Sequence, residues 1–268
     1  MNKSPNKYWM AYIILFILIG LRIIAFFNTG SRLWAFNHNI FLSDATNMVF
    51  AIIAISILIL PFLKSVSIFT NSLSRGFNGL FFEYKYSIWA RLIFITLLSF
   101  LFAIFAGSTH FLGDGLILIG NLASTTGTLY KWSEKGIIYI LDMVQLLWGE
   151  KNDLTALRAY QTISIIAGIT TIYFYFLITK IVTENSIKRL LIFSLLLISG
   201  TIMLFFGYVE SYPLLHTAAT GFIYFGFRHL QSRQGLIIAF LFLIFGIFVH
   251  LQFAVMIPAY IFLLIRTE

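Results

Sequence analysis

The sequence predicts an all-α integral membrane protein, a polytopic bundle of about eight transmembrane helices with an outward loop of interfacial helices. Three observations lead there. Apolar residues make up 60% of the chain and charged residues only 10%, far from the mix of a soluble domain. Several continuous apolar runs reach the roughly 20 residues that a helix needs to cross a hydrocarbon core about 30 Å thick. Hydrophobicity is continuous rather than alternating, which excludes a closed β-barrel.

Taken in order, the apolar runs place spans near residues 8–27, 47–64, 89–107, 157–181, 187–206, 212–228, 236–252 and 254–267. The first follows a basic start with Lys3 and Lys7, and no small-residue cleavage signature comes after it, so it reads as a retained anchor. The last is short and runs into Arg266-Thr267-Glu268, so we expect the sequence to be incomplete at its C-terminus.

The net charge of +8 does not point to nucleic acid, because the Lys and Arg residues lie in short groups between apolar runs and form no basic face. They report topology instead. With the N-terminus in the cytoplasm, Lys64, Arg75, Lys85 and Arg91 share one inner loop, Lys180, Lys188 and Arg189 the next, and Arg228 and Arg233 a third. The opposite loops then hold Asp44, Asp114, Glu134, Asp142, Glu150, Asp153 and Glu210. The positive-inside bias therefore puts Asp114 and Glu210 outside, in a multi-pass membrane protein. The chain has no cysteine, which removes disulfides, thiolate metal sites, lipoprotein anchoring and thiol catalysis.

The longest stretch outside the spans, about residues 108–156, follows the third span on the outer side, and long ordered loops commonly carry function. Leu116 to Ala123 reads as one apolar helix interrupted by Asn121. Glu134 to Trp148 reads as an amphipathic one, with Lys135, Tyr139, Asp142 and Gln145 on a solvated stripe and Ile137, Ile138, Leu141, Val144 and Trp148 largely opposite. Such segments lie along a membrane interface. Ser124-Thr125-Thr126-Gly127-Thr128 between them reads as a turn.

Two outward clusters are the candidates for chemistry. One is Gly113-Asp114-Gly115, an acid between two backbone-permissive residues; the other is Gly207-Tyr208-Val209-Glu210-Ser211-Tyr212-Pro213. A carboxylate beside hydrocarbon is costly unless solvated, paired or metal-bound. Two of them on one face suit general-base work, or a hard divalent cation such as Mg or Mn with Asp114 as ligand. Asp114 and Glu210 are the catalytic candidates. The plain alternatives are a solvated acid at a helix end for Asp114 and a helix-dipole acid in the first turn of the sixth span for Glu210, with Pro213 early in that helix.

Substrate-binding candidates on the same face are His110, Glu134, Arg158, Tyr208, Tyr212 and His250. Each has a structural counterpart: a locally hydrogen-bonded histidine for His110, His216 and His250, a helix-start acid for Glu134, a snorkelling cation for Arg158, and interfacial anchors for the tyrosines. Asp44 after Ser43 reads as a cap. Nucleophile elbows, Gly-rich phosphate loops and paired histidine ligands are absent, so a serine hydrolase or soluble nucleotide enzyme has no support.

The order of these features resembles the GT-C class of membrane glycosyltransferases, which take sugars from polyprenyl-phosphate carriers. The strings that carry the resemblance are Gly113-Asp114-Gly115-Leu116 with Asn121-Leu122, Trp132-Ser133-Glu134 followed by Tyr139, and Phe206-Gly207-Tyr208-Val209-Glu210-Ser211-Tyr212. Together they cover roughly residues 89–230. The resemblance implies that Asp114 is the first-loop acid, acting as base or metal ligand. It also implies an N-terminal two-span extension at residues 1–87 and a GT-C-like membrane core at 88–268. Lys135-Gly136 stands where related proteins often show Pro-Leu after the acid, so a role for Glu134 is less firmly implied. Two rival functions use the same features: a transporter or flippase-like protein, and a non-catalytic membrane assembly partner. Transporters place ionisable residues near the midplane and show repeated halves. Here the acids lie in outward loops and no internal repeat is found, which favours the enzyme.

Overall fold

A computed structural model describes residues 9–27, 42–59, 63–107, 114–126 and 131–266. Every regular element among them is helical, as composition and periodicity predict. The chain divides into two compact units, Met1–Ser72 and Leu73–Glu268. The first holds α1 (Trp9–Phe27) and α2 (Asp44–Ile59). Ser43, rather than Asp44, caps α2, because its hydroxyl accepts the Thr46 N–H at 3.3 Å.

A third helix, α3 (Lys64–Asn78), begins in the first unit and ends in the second, inside a stretch that charge alone reads as a loop. It runs into a π turn at Gly79–Glu83. In the second unit follow α4 (Ser87–Ile104), α5 (Gly115–Ala123), a 3-10 turn Trp132–Glu134, α6 (Lys135–Trp148) and α7 (Asp153–Val182). After these come α8 (Ser186–Leu197), a 3-10 segment Gly200–Phe205, α9 (Tyr212–Ser232), α10 (Leu236–Val249), a 3-10 segment Leu251–Met256 and α11 (Ile257–Ile265).

The long helix α7 is the centre of the second unit, packing against α4, α5, α6, α8 and α9, and α9 in turn packs on α10. Thr217 on α9 bonds the Thr171 hydroxyl at 3.0 Å and the Ala167 carbonyl at 3.1 Å, so the closest helix pair is joined by polar contacts as well as apolar ones. At one end of the unit Phe176 and Phe193 stack at 4.3 Å. Beside them Arg189 donates to the Asn78 amide oxygen at 2.7 Å and to the Thr183 carbonyl, which fastens the π turn to the α7–α8 corner. At the same end Gln231 donates to the Ile181 carbonyl at 2.8 Å. The opposite end gathers the other turns: the Gly107 N–H donates to the Phe206 carbonyl at 2.9 Å, and Glu134 meets His250.

Two of the described helices, Ser87–Ile104 and Asp153–Val182, are long and apolar enough to cross a bilayer. The outer stripe of α4 formed by Trp89, Ile93, Leu97, Phe100 and Ile104 is exposed throughout. In water such a stripe forgoes about 1.5–3 kcal/mol per large side chain, so a surface of this kind marks a contact with lipid or a partner. Of the others, α1 has 19 residues and α9 has 21, whereas α8 and α10 are shorter, with 12 and 14, for identifiable reasons. The run expected at 187–206 is broken where the Ser199 hydroxyl takes the Leu196 carbonyl at 2.7 Å ahead of Gly200. The run expected at 236–252 is broken at His250, whose ring accepts the Gln252 N–H at 3.2 Å. Twelve helical residues in α8 rise about 18 Å at 1.5 Å each.

Candidate functional site

At the end of the second unit where the 106–107, 132–134, 207–211 and 250–251 segments meet, one lysine contacts Asp114 and feels the charges of Glu134 and Glu210. Asp114 stands at the N-cap of α5, its carbonyl accepting the Leu118 N–H at 2.9 Å, while its carboxylate makes no cap bond. The carboxylate turns instead to Lys131, whose ammonium lies 3.4 Å away; both side chains are 58% exposed. Lys131 accepts the Glu134 N–H at 3.0 Å across the 3-10 turn, which sets Glu134 at the start of α6.

Glu134 faces His250 with its Oε1 3.7 Å from Nε2. The Nδ1 of His250 accepts the Gln252 N–H, so the ring proton sits on Nε2 and points to the carboxylate. His250 is buried, and Tyr212 stacks on it at 6.0 Å with an interplanar angle of 20°.

Glu210 hangs from a turn fixed by α7. Gly207 has φ +68°, and a Cβ there would come within 2.9 Å of Ala106, so the turn needs glycine twice over. The Gly207 N–H donates to the Ser164 hydroxyl at 3.0 Å, and that hydroxyl donates to the Leu204 carbonyl at 2.7 Å. Ser164 thus satisfies both polar groups of a buried backbone crossing. Ser164→Ala leaves both without that partner and is expected to lower stability by about 1–3 kcal/mol in a detergent melt.

Burial pushes the Glu210 carboxyl above the ordinary glutamate range, and Asp114 and Glu134 push it further; the Ser211 N–H and Lys131 act against them. Lys131 in turn is held above the ordinary lysine value, first by Glu134, then by its hydrogen bond to Asp114, with Glu210 contributing. Glu210 and Lys131 thus each respond to the other and to the two remaining acids. A carboxyl group perturbed by burial and by specific charged neighbours, as Glu210 is, marks a candidate functional site.

A cleft of about 760 Å³ opens between α5 and the start of α6, with Asp114, Lys131, Glu134 and Asn121 on its polar side and Leu118 and Ile138 on its apolar side. A second, mostly apolar cavity of about 660 Å³ lies between the two 3-10 segments and α9; Tyr212, His216 and Phe253 are among its walls.

Of the residues that sequence reasoning proposes, Asp114, Glu134, Glu210, Tyr212 and His250 come together here. Tyr208 sits on the surface of the Glu210 turn. Arg158 lies elsewhere, its guanidinium 5.3 Å from the centre of the Trp148 ring, and no ion pair joins it to the acids among the described residues. His110 and Gly113 lie outside the described residues.

Three participants escape a reading by composition. Lys131 is one cation in an acidic loop, Ser164 is one hydroxyl inside an apolar span, and Gln145 was expected on a solvated stripe. Gln145 is instead fully buried, donating to the Thr155 hydroxyl at 3.1 Å. The cause is the Asn152–Thr155 capping box, which folds the start of α7 over that face of α6.

The oxygen donors would suit a hard cation. Among the described residues, however, no three Asp, Glu, His or Cys groups lie close enough to hold one, and Asp114 is engaged by an ammonium. Comparison with protein-family models, with curated proteins and with solved structures finds no match for this chain.

Proposed function

We propose that this chain is a multi-pass membrane glycosyltransferase of the GT-C kind, moving a sugar from a polyprenyl-phosphate donor to an acceptor hydroxyl at the outer face of a bacterial inner membrane. The observation that carries the reading is the convergence of Glu210, Asp114 and Glu134 on Lys131 beside a cleft, at the end of the helices where the acid-rich turns gather. The exposed apolar stripe of α4 supports a lipid surround, and the shorter apolar helices complete an eight-span bundle in this reading.

Chemically, Glu210 is the base. Its proton affinity is raised by burial and by two neighbouring acids, which brings it toward the range where a general base works well. It takes the acceptor hydroxyl proton as that oxygen attacks the anomeric carbon, and the carbon–oxygen bond to phosphate breaks with its electron pair leaving on the phosphate. The field of the carboxylates favours the positive, oxocarbenium-like character of the sugar as it transfers. Lys131 has three donor hydrogens, and Asp114 engages it at a single contact, so it retains donors for a phosphate oxygen at the cleft rim. The apolar cavity reached past Tyr212 takes the isoprenoid chain. No step here runs through a metal ion.

The test is consumption of lipid-linked sugars by membranes of the native host carrying wild-type protein, Asp114→Asn or Glu210→Gln. We expect wild-type turnover and a fall of about 100-fold or more in Glu210→Gln, the usual contribution of a positioned base. Equal consumption by all three would remove the acids from the mechanism, and loss on chelation would bring a divalent ion into it. Because the chain lacks cysteine, Thr125→Cys, at an exposed position of the same loop, is a unique thiol; it should react with an impermeant reagent in intact cells. Labelling only after lysis would overturn the outward placement.

A further inference from the structure

A third cavity, of about 530 Å³, lies on the other side of the Trp132–Glu134 turn from the acid cleft, lined by Trp132, Ser133, Lys135 and Tyr139 above Phe248 and Leu251. The turn alternates its residues between the two: Lys131 and Glu134 belong to the acid side, Trp132, Ser133 and Lys135 to this one. The two lysines have different neighbours. Lys131 is claimed by three carboxylates, whereas Lys135 has no carboxylate within ion-pair distance among the described residues and lies 5.8 Å from the centre of the Trp132 ring. Trp132 is 84% exposed, and Phe248 and Leu251 below it are exposed as well. An uncompensated cation and an indole above an open apolar floor match an anionic headgroup with the upper part of its chains beneath.

We infer that this cavity binds an anionic phospholipid of the surrounding leaflet, held by Lys135 and Trp132 with its chains along Phe248 and Leu251. The wall between the two cavities favours a bystander lipid over the reacting carrier. Gly136 packs so tightly on Phe248 that a Cβ would stand 1.9 Å from the Phe248 carbonyl oxygen, and Glu134 meets His250 just beside it. A phosphate at Lys135 therefore sits in a cavity that shares no lining residue with the acid cleft. The inference rests on the membrane placement proposed above and not on the transfer chemistry; recovery of the protein in the membrane fraction checks that placement separately.

The experiment is native mass spectrometry of the full chain released from nanodiscs of equal phosphatidylglycerol and phosphatidylcholine. Wild-type protein should retain phosphatidylglycerol preferentially, Lys135→Gln should reduce that preference about fivefold, as one surface lysine supplies, and Lys151→Gln, which removes a lysine already paired with Asp142, should leave it unchanged. The same lipid should raise the melting temperature of wild-type protein and not of Lys135→Gln, which separates lost binding from lost folding. Equal retention of both lipids, an equal drop in Lys151→Gln, or retention of added isoprenyl phosphate in place of phosphatidylglycerol would overturn it.

Discussion

Glu210→Gln is expected to slow sugar transfer by about 100-fold or more while leaving the protein at least as stable as wild type at neutral pH. The two halves of that result have one origin. Burial and two neighbouring acids raise the proton affinity of Glu210 in the folded chain, so ionising it there costs more than in the unfolded chain. The folded state is favoured while the group is protonated, and that stability is lost as pH rises from the ordinary glutamate range through the raised value. Glutamine removes the loss and the base together. For wild type, the transfer rate should rise with pH along a limb lying above the ordinary carboxylate range. Lys131→Gln should move that limb up, because Lys131 favours the ionised form, and Asp114→Asn should move it down. A limb unmoved in both variants would mean that Glu210 is not the titrating base.

Gly136→Ala should destabilise the second unit by about 3 kcal/mol, at the upper end of what overpacking costs. The added carbon would meet the Phe248 carbonyl oxygen at 1.9 Å and its carbon at 2.5 Å. A backbone group cannot swing aside as a side chain can, so α6 must shift from α10 and carry Glu134 away from His250. Gly120→Ala, on α5 and facing nothing within 4 Å, is the control, expected to be neutral or stabilising by about 0.5–1 kcal/mol from helix propensity. Thermal unfolding of the two variants in one detergent makes the comparison; equal melting temperatures would show that the α6–α10 contact yields easily.

Much of the helical pattern was legible because apolar runs and turn residues are local signals. Helix ends at Phe27, Val182 and Ser232 fall close to where hydropathy stops, and Pro213 opens α9 as its fixed backbone angle suggests. The breaks in the runs ending near residues 206 and 252 were not legible, because hydropathy is blind to a Ser199 hydroxyl or a His250 ring that captures a backbone group.

Charge bias put Asp114 and Glu210 on one face, and Asp114 is among the groups that raise the proton affinity of Glu210. The same bias could not find Lys131, whose role depends on a contact 17 residues away in the chain, nor Ser164, which reaches Gly207 across 43. Gly136 looked in the sequence like a departure from a pattern; in the structure it is the point of closest approach between α6 and α10.

The central claim is that Glu210 and Asp114 act as one unit in sugar transfer, and a double-mutant cycle on single-turnover rates in proteoliposomes loaded with lipid-linked sugar tests it most directly. Expected is strong non-additivity, with Asp114→Asn costing far less in a Glu210→Gln background than in wild type, because groups that act together cannot be lost twice. Two independent losses that multiply, or transfer undiminished in Glu210→Gln, would contradict it.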